Sequence, residues 1–238
     1  MSKFRTEKPI PPVHIDKDLL MRLEAYFIKV IPDLIPGFPK NKRKAGYSVE
    51  ITDKYGTEEF ESFAEYDFKY LPDTISLIQI GLIDENEEFH IDLILDKDEG
   101  GSLEIEFESK NARERSISLI EGIEKIIGNY KTPNRFFHPP QIVHAVLIIA
   151  GIVYGLQAVD AFRDNKYLDM IGPGFIALSI GSYYYVGKYI RTVVSFETKR
   201  YQVFNHYLGW FISGCFSFLI FGTAFTYFKD KLLKIILK

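Results

Sequence analysis

The stretch IVHAVLIIAGIVYGLQAV, residues 142–159, contains no Asp, Glu, Lys or Arg. Its reading decides the rest, because an apolar helix of this length approaches the ~20 residues that cross a ~30 Å hydrocarbon layer. Two further uncharged segments follow, MIGPGFIALSIGSYYYV at 170–186 and VFNHYLGWFISGCFSFLIFGTAFTYF at 203–228. A helix on the surface of a soluble domain keeps a polar face, and none of these three carries a charge on any face. Three transmembrane spans are therefore expected, the second being the shortest. Phe136, Phe137, Tyr183, Tyr184, Tyr185, Tyr227 and Phe228 flank the segments as aromatic belts flank membrane helices at the headgroup level.

Outward from these segments the composition changes. Most Asp and Glu residues precede Tyr130, and the whole chain balances 29 cationic against 32 acidic side chains for a net charge of −3. Such a chain has no global basic field with which to hold nucleic acid through its phosphates. The single cysteine, Cys215, lies in the third apolar segment, so neither an intrachain disulfide nor a cysteine zinc site can form. The N-terminus, MSKFRTEKP, lacks an apolar signal core, and the preceding half is expected to stay in the cytoplasm. Prolines at 9, 11 and 12 fix φ and remove amide donors, which predicts an extended arm over residues 1–13.

Residues 14–131 read as a soluble α+β domain. Leu19, Leu20, Leu23, Tyr26, Phe27, Val30 and Ile31 recur at helical spacing behind Asp16, a natural N-cap, with Pro32 and then Pro36-Gly37 expected to end the helix. Tyr47, Val49 and Ile51 alternate with polar residues as a half-buried strand does. Residues 58–66 are ambiguous and lean towards a helical turn. Strands are predicted over 75–82, 89–95 and 103–107, joined by short polar turns that make them antiparallel neighbours. Ile117, Leu119, Ile120, Ile123, Ile126 and Ile127 mark a second helix over 111–129. The expected fold is an antiparallel sheet of about four strands with two helices on one face, then a linker at 132–141, a three-helix transmembrane region over 142–228, and a basic amphipathic tail at 229–238.

Orientation is balanced on charge. Lys125, Lys131, Arg135, Lys188, Arg191, Lys199 and Arg200 flank the domain side, against Arg163 and Lys166 in the first loop and Lys229, Lys231, Lys234 and Lys238 in the tail.

Candidate functional residues fall into two groups. Gly151 and Gly155 form a GxxxG pair, and Gly209, Ser213 and Ser217 repeat every four residues, so each set lines a helix face that lets another helix approach. These faces serve either packing within the chain or assembly of a homo-oligomer, with a pore as the extreme case. Lys40, Lys42, Arg43 and Lys44 form the one concentrated basic patch, suited to an anionic ligand or lipid headgroup. Gly172-Pro173-Gly174 is expected at a helix entry, and His144 and His206 as anchors at span ends. The Asp96–Gly101 turn has too few acidic positions for a calcium loop.

No phosphate-binding, dinucleotide-binding, zinc-protease, esterase or kinase motif occurs, and no cofactor or metal is expected. The sequence points to a non-enzymatic, multi-pass membrane protein whose cytoplasmic domain senses or binds a partner protein or small ligand while its helices anchor and oligomerise it in the bilayer. The rival expectation is a membrane effector or channel that opens the bilayer on a signal received by that domain.

Overall fold

The computed structural model describes residues 2–35, 46–66, 69–83, 89–211, 213, 214 and 217. The basic patch of Lys40, Lys42, Arg43 and Lys44 lies outside the described residues, as do most of the third apolar segment and the whole 229–238 tail. The chain divides into two compact units, Met1–Glu197 and Thr198–Lys238.

Among the described residues of the first unit, six strands form one antiparallel sheet. They are β1 (Ser2–Ile10), β3 (Tyr47–Asp53), β4 (Gly56–Phe60), β5 (Ile75–Ile83), β6 (Phe89–Asp96) and β7 (Gly100–Ser109), arranged β1-β7-β6-β5-β3-β4. Alternation decides the faces: Val49, Ile51, Ile78, Ile80, Ile91, Leu93, Leu103 and Ile105 are buried. Helices α1 (Lys17–Ala25) and α3 (Ala112–Gly128) cover that side through Leu19, Leu20, Leu23, Leu119 and Ile123. Across the opposite face run polar contacts, Arg5 with Glu104 at 2.5 Å, Lys3 with Glu106, and Gln79 donating to Asp92 at 2.9 Å.

Two more strands than expected enter the sheet. The arm predicted for residues 1–13 is β1, paired residue for residue from Ser2↔Ser109 to Ile10↔Gly101. Its prolines do not prevent this, because β1 lies at the sheet edge, where a missing amide costs no ladder bond. Residues 56–60, which overlap the start of the ambiguous stretch, form the other edge strand, β4, and within that stretch Phe63–Glu65 make a helical turn. The Asp16 cap is as expected, its carboxylate accepting from Leu19 N–H at 2.8 Å. Pro32, however, does not stop the helix. A π-helical turn, Tyr26–Val30, shifts the hydrogen-bond register so that Ile31 N–H reaches Tyr26 O, and Pro32 then falls in the first turn of α2 (Ile31–Leu34). A proline there forfeits no helical bond.

After α3 the chain forms a 3₁₀ turn, Pro133–Phe137, then the antiparallel pair α4 (Gln141–Arg163) and α5 (Tyr167–Tyr189). Each helix has 23 residues, about 35 Å at 1.5 Å per residue. Their connection is a short polar turn in which Asn165 takes a left-handed conformation, φ 57°, and Lys166 pairs with Asp164 at 3.1 Å. Among the described residues one helix, α4, is long and apolar enough to cross a membrane. The three-span expectation is thus supported in part. In α5 the tyrosines, serines and glycines of 179–187 dilute the apolar run, and Gly172-Pro173-Gly174, expected at its entry, lies inside the helix, which begins at Tyr167. In the second unit, Thr198 caps a helix over 199–211 by accepting from Tyr201 N–H at 3.1 Å.

Candidate functional site

The residues between α5 and the last helix carry the main surprise. They were expected as a loop between two spans, yet Val194–Phe196 form a strand, β8, that pairs in parallel with β2 (Val13–Ile15). Val13, Ile15, Val194 and Phe196 are all buried in the domain core. The helical hairpin therefore leaves the domain after the Pro133–Phe137 turn and returns to it at β8, held at both ends. Tyr130 extends this seam: its carbonyl accepts from His14 N–H at 3.0 Å, and its hydroxyl donates to Asp18 on α1.

Four polar side chains pin the seam. His14 on β2 lies 3.1 Å from the Ser195 hydroxyl through Nδ1 and 2.5 Å from the Glu197 carboxylate through Nε2. With Nε2 donating to the carboxylate, the ring is fixed between two neighbours on the β8 segment. Asn134, from the segment expected to be a linker, donates to Thr192 O at 2.9 Å and to Ser195 Oγ at 3.3 Å. The linker is thus part of the domain. Ser, His and Glu in contact resemble a nucleophile with its base and orienter, but the geometry does not present a nucleophile. Ser195 is 1% exposed, and its hydroxyl also faces Val13 O at 3.4 Å, so these groups join strands.

Next to this seam the hairpin meets the domain through an aromatic collar. Tyr183 on α5 donates its hydroxyl to Phe136 O, and its ring sits 5.7 Å and 5.4 Å from the rings of Phe136 and Phe137. Tyr184 donates to His144 O at 3.1 Å. Gly187 permits the close crossing: a Cβ there would lie 3.1 Å from both the Cβ and the carbonyl oxygen of Phe137. Beside the crossing opens a cavity of about 510 Å³, bordered by Lys97, Asp98, His138, His144, Tyr184 and Lys188. His138 is held by donation from Nε2 to Arg191 O at 2.9 Å.

The residues singled out from the sequence separate on inspection. Gly151 packs within the hairpin, since a Cβ there would lie 3.3 Å from Ile180 Cγ2. Among the described residues, Gly155 and Gly209 have nothing within 4 Å of an added Cβ, and Ser213 and Ser217 are exposed. The two GxxxG glycines thus differ: Gly151 fits a partner within the hairpin, and Gly155 meets no other described residue of the first unit. His144 sits edge-on to Tyr184 at 4.8 Å and His206 beside Tyr207 at 5.8 Å. The Asp96 carboxylate is used to close its own turn, accepting from Asp98 and Glu99 N–H at 2.7 Å each.

Sequence reasoning missed His14, Asn134, Ser195, Glu197 and the Lys97–Lys188 cavity. One signal was legible, the alternation Val194, Ser195, Phe196 within a supposed interspan loop; its partner 181 residues away was not. Comparison of the chain with protein-family models, curated proteins and solved structures found no match.

Proposed function

We propose that this is a multi-pass membrane protein in which a cytoplasmic α+β domain binds a ligand or partner and is coupled to the bilayer through the α4–α5 hairpin. The observation that carries this reading is the hairpin's uncovered apolar surface. Ile142, Leu168 and Phe175 are 80%, 85% and 71% exposed, and no described residue of α4 is buried. Contiguous apolar surface on this scale is unfavourable in water and natural in lipid. The hairpin's aromatic collar lies at its domain end, which suits a headgroup level.

Charge flanking the hairpin itself favours the cytoplasmic side for the domain, while the four lysines of the 229–238 tail weigh against it and leave the whole count balanced. With β8 returning to β2, Lys131, Arg135, Lys188 and Arg191 lie on the domain side of the hairpin, and Arg163 and Lys166 at its far turn. The third apolar segment completes the anchor in this reading, and the open faces at Gly155 and Gly209 are where protomers associate. The domain's role is non-enzymatic binding, its specificity residing in polar surfaces near the seam.

The test is placement and extraction. In a Cys215→Ser background, a cysteine at Asn165 should react with an impermeant maleimide in intact cells, and one at Tyr55 only after permeabilisation. The chain should remain with membranes through alkaline washing. Release by that wash, or labelling of Tyr55→Cys in intact cells, would overturn the reading.

A further inference from the structure

We infer that the cavity between the β6–β7 turn and the hairpin binds a phosphate group, with the headgroup of an anionic phospholipid as its first source. The inference rests on the membrane reading for the source of the ligand, but not for its charge.

Lys97 and Lys188 approach the same cavity from unrelated elements, the turn after β6 and the last turn of α5. Neither forms an ion pair among the described residues. Asp98 is the one carboxylate among the bordering residues. The Lys188 ammonium also lies 5.4 Å from the centre of the Tyr189 ring; with both lysines bordering one cavity, the local charge there is positive and an anion is its complement. His138 adds a further polar edge. Its Nε2–H is committed to Arg191 O, and Nδ1 of the neutral ring is an acceptor, so the anion's charge is met by the two lysines and not by this ring. A volume of about 510 Å³ admits a phosphodiester with its glycerol.

Position supplies the rest. Pro139 and His144 border the cavity at the start of α4, while Ile142 beside them is 80% exposed. A headgroup in the cavity would therefore have its acyl chains against the apolar side of α4. This amphipathic neighbourhood, cations beside an uncovered apolar helix, fits a lipid better than a soluble anion.

The experiment uses the full chain purified in detergent. Native mass spectrometry measures retention of phosphatidylglycerol against phosphatidylcholine, and thermal unfolding is followed with inorganic phosphate. The Lys97→Gln/Lys188→Gln double variant is compared with Lys125→Gln, a lysine on the exposed side of α3. Wild type should retain phosphatidylglycerol selectively, and the double variant should lose about thirtyfold in that preference, as two headgroup-facing cations would give; Lys125→Gln should lose none. A phosphate-induced rise in the unfolding temperature that the double variant abolishes, without lipid selectivity, would support the phosphate site and assign it a soluble source. Equal retention of both lipids with no phosphate effect would overturn the inference, as would lipid selectivity that survives in the double variant. Release of the chain by alkaline washing would remove the membrane reading while leaving the phosphate arm decisive.

Discussion

His14 and Glu197, 183 positions apart, are joined by a 2.5 Å hydrogen bond that closes the chain around five of the six sheet strands, all but β1, and the hairpin. Because both side chains are about one-fifth exposed, the bond is partly shielded from solvent. Replacing His14 by Ala leaves the Glu197 carboxylate and Ser195 without this partner. The expected loss is about 1–3 kcal/mol, read by thermal or denaturant unfolding of the detergent-solubilised chain. A variant as stable as wild type would mean that β2 and β8 hold without it.

The Asp18–Tyr130 contact makes a pH prediction. A hydrogen bond from the Tyr130 hydroxyl holds the Asp18 carboxyl below the usual carboxylate range, Arg22 assisting. Tyr130 is pushed up to about 12, by burial first and then by Asp18. The depressed acid contributes stability above its unfolded pKa of about 3.9, lost as pH falls through the folded value. The raised phenol contributes stability below about pH 10, lost as pH rises towards about 12. Wild type should therefore exceed Tyr130→Phe in unfolding temperature on a plateau between these limits, with the gap closing at both ends. A gap that is flat across the range would rule out the coupling.

Gly122 on α3 faces the ring of Tyr26 so closely that an added Cβ would overlap its hydroxyl and Cζ. Alanine favours helix by up to about 1 kcal/mol over glycine, yet overpacking costs about 1–3 kcal/mol. Gly122→Ala should thus destabilise, and in a Tyr26→Ala background the same change should stabilise. Equilibrium unfolding of the four proteins distinguishes the two terms; a stabilising single variant would contradict the packing.

The GxxxG pair predicts a split outcome. Gly151→Leu must collide with Ile180, whereas Gly155→Leu meets no described residue of the first unit. Gly151→Leu should lower the unfolding temperature of the protein as purified. Gly155→Leu should leave folding intact and reduce the oligomeric mass measured in detergent, if helix faces assemble protomers as proposed. Unchanged mass would place assembly elsewhere.

Anchor and channel also part company. Reconstituted protein should not release dye from vesicles, because α4 carries no Asp, Glu, Lys or Arg from Ile142 to Val159, and its one histidine, His144, lies at the span end. Release that Gly209→Leu abolishes would establish the effector alternative instead.

Much of the fold was legible because local chemistry settles it. Asp16 caps α1 as its position announced, and the alternation in 47–51, 75–82 and 89–95 marks strands whose polar face meets no helix. The apolar run at 142–159 is likewise visible without coordinates, since its length alone meets the thickness of a bilayer core. Where the sequence misled, tertiary context reversed a local rule. Pro9 and Pro32 read as breakers, yet one sits on an edge strand and the other in a helix's first turn after a π-helical shift in register. Those outcomes depend on what lies alongside, which no local window contains.

By itself, then, the sequence determined the contrast between a charged first half and an apolar second half in composition, the apolar character of α4 and the periods of its strands and helices, since each depends on spacing within a dozen or so residues. Only the tertiary structure decided that the hairpin is tied back into the domain. The β2–β8 pairing, the His14–Glu197 bond and the meeting of Lys97 with Lys188 join residues tens to nearly two hundred positions apart. Contacts at that separation follow from how elements stack to bury Val13, Ile15, Val194 and Phe196 together, a collective packing outcome with no local signature.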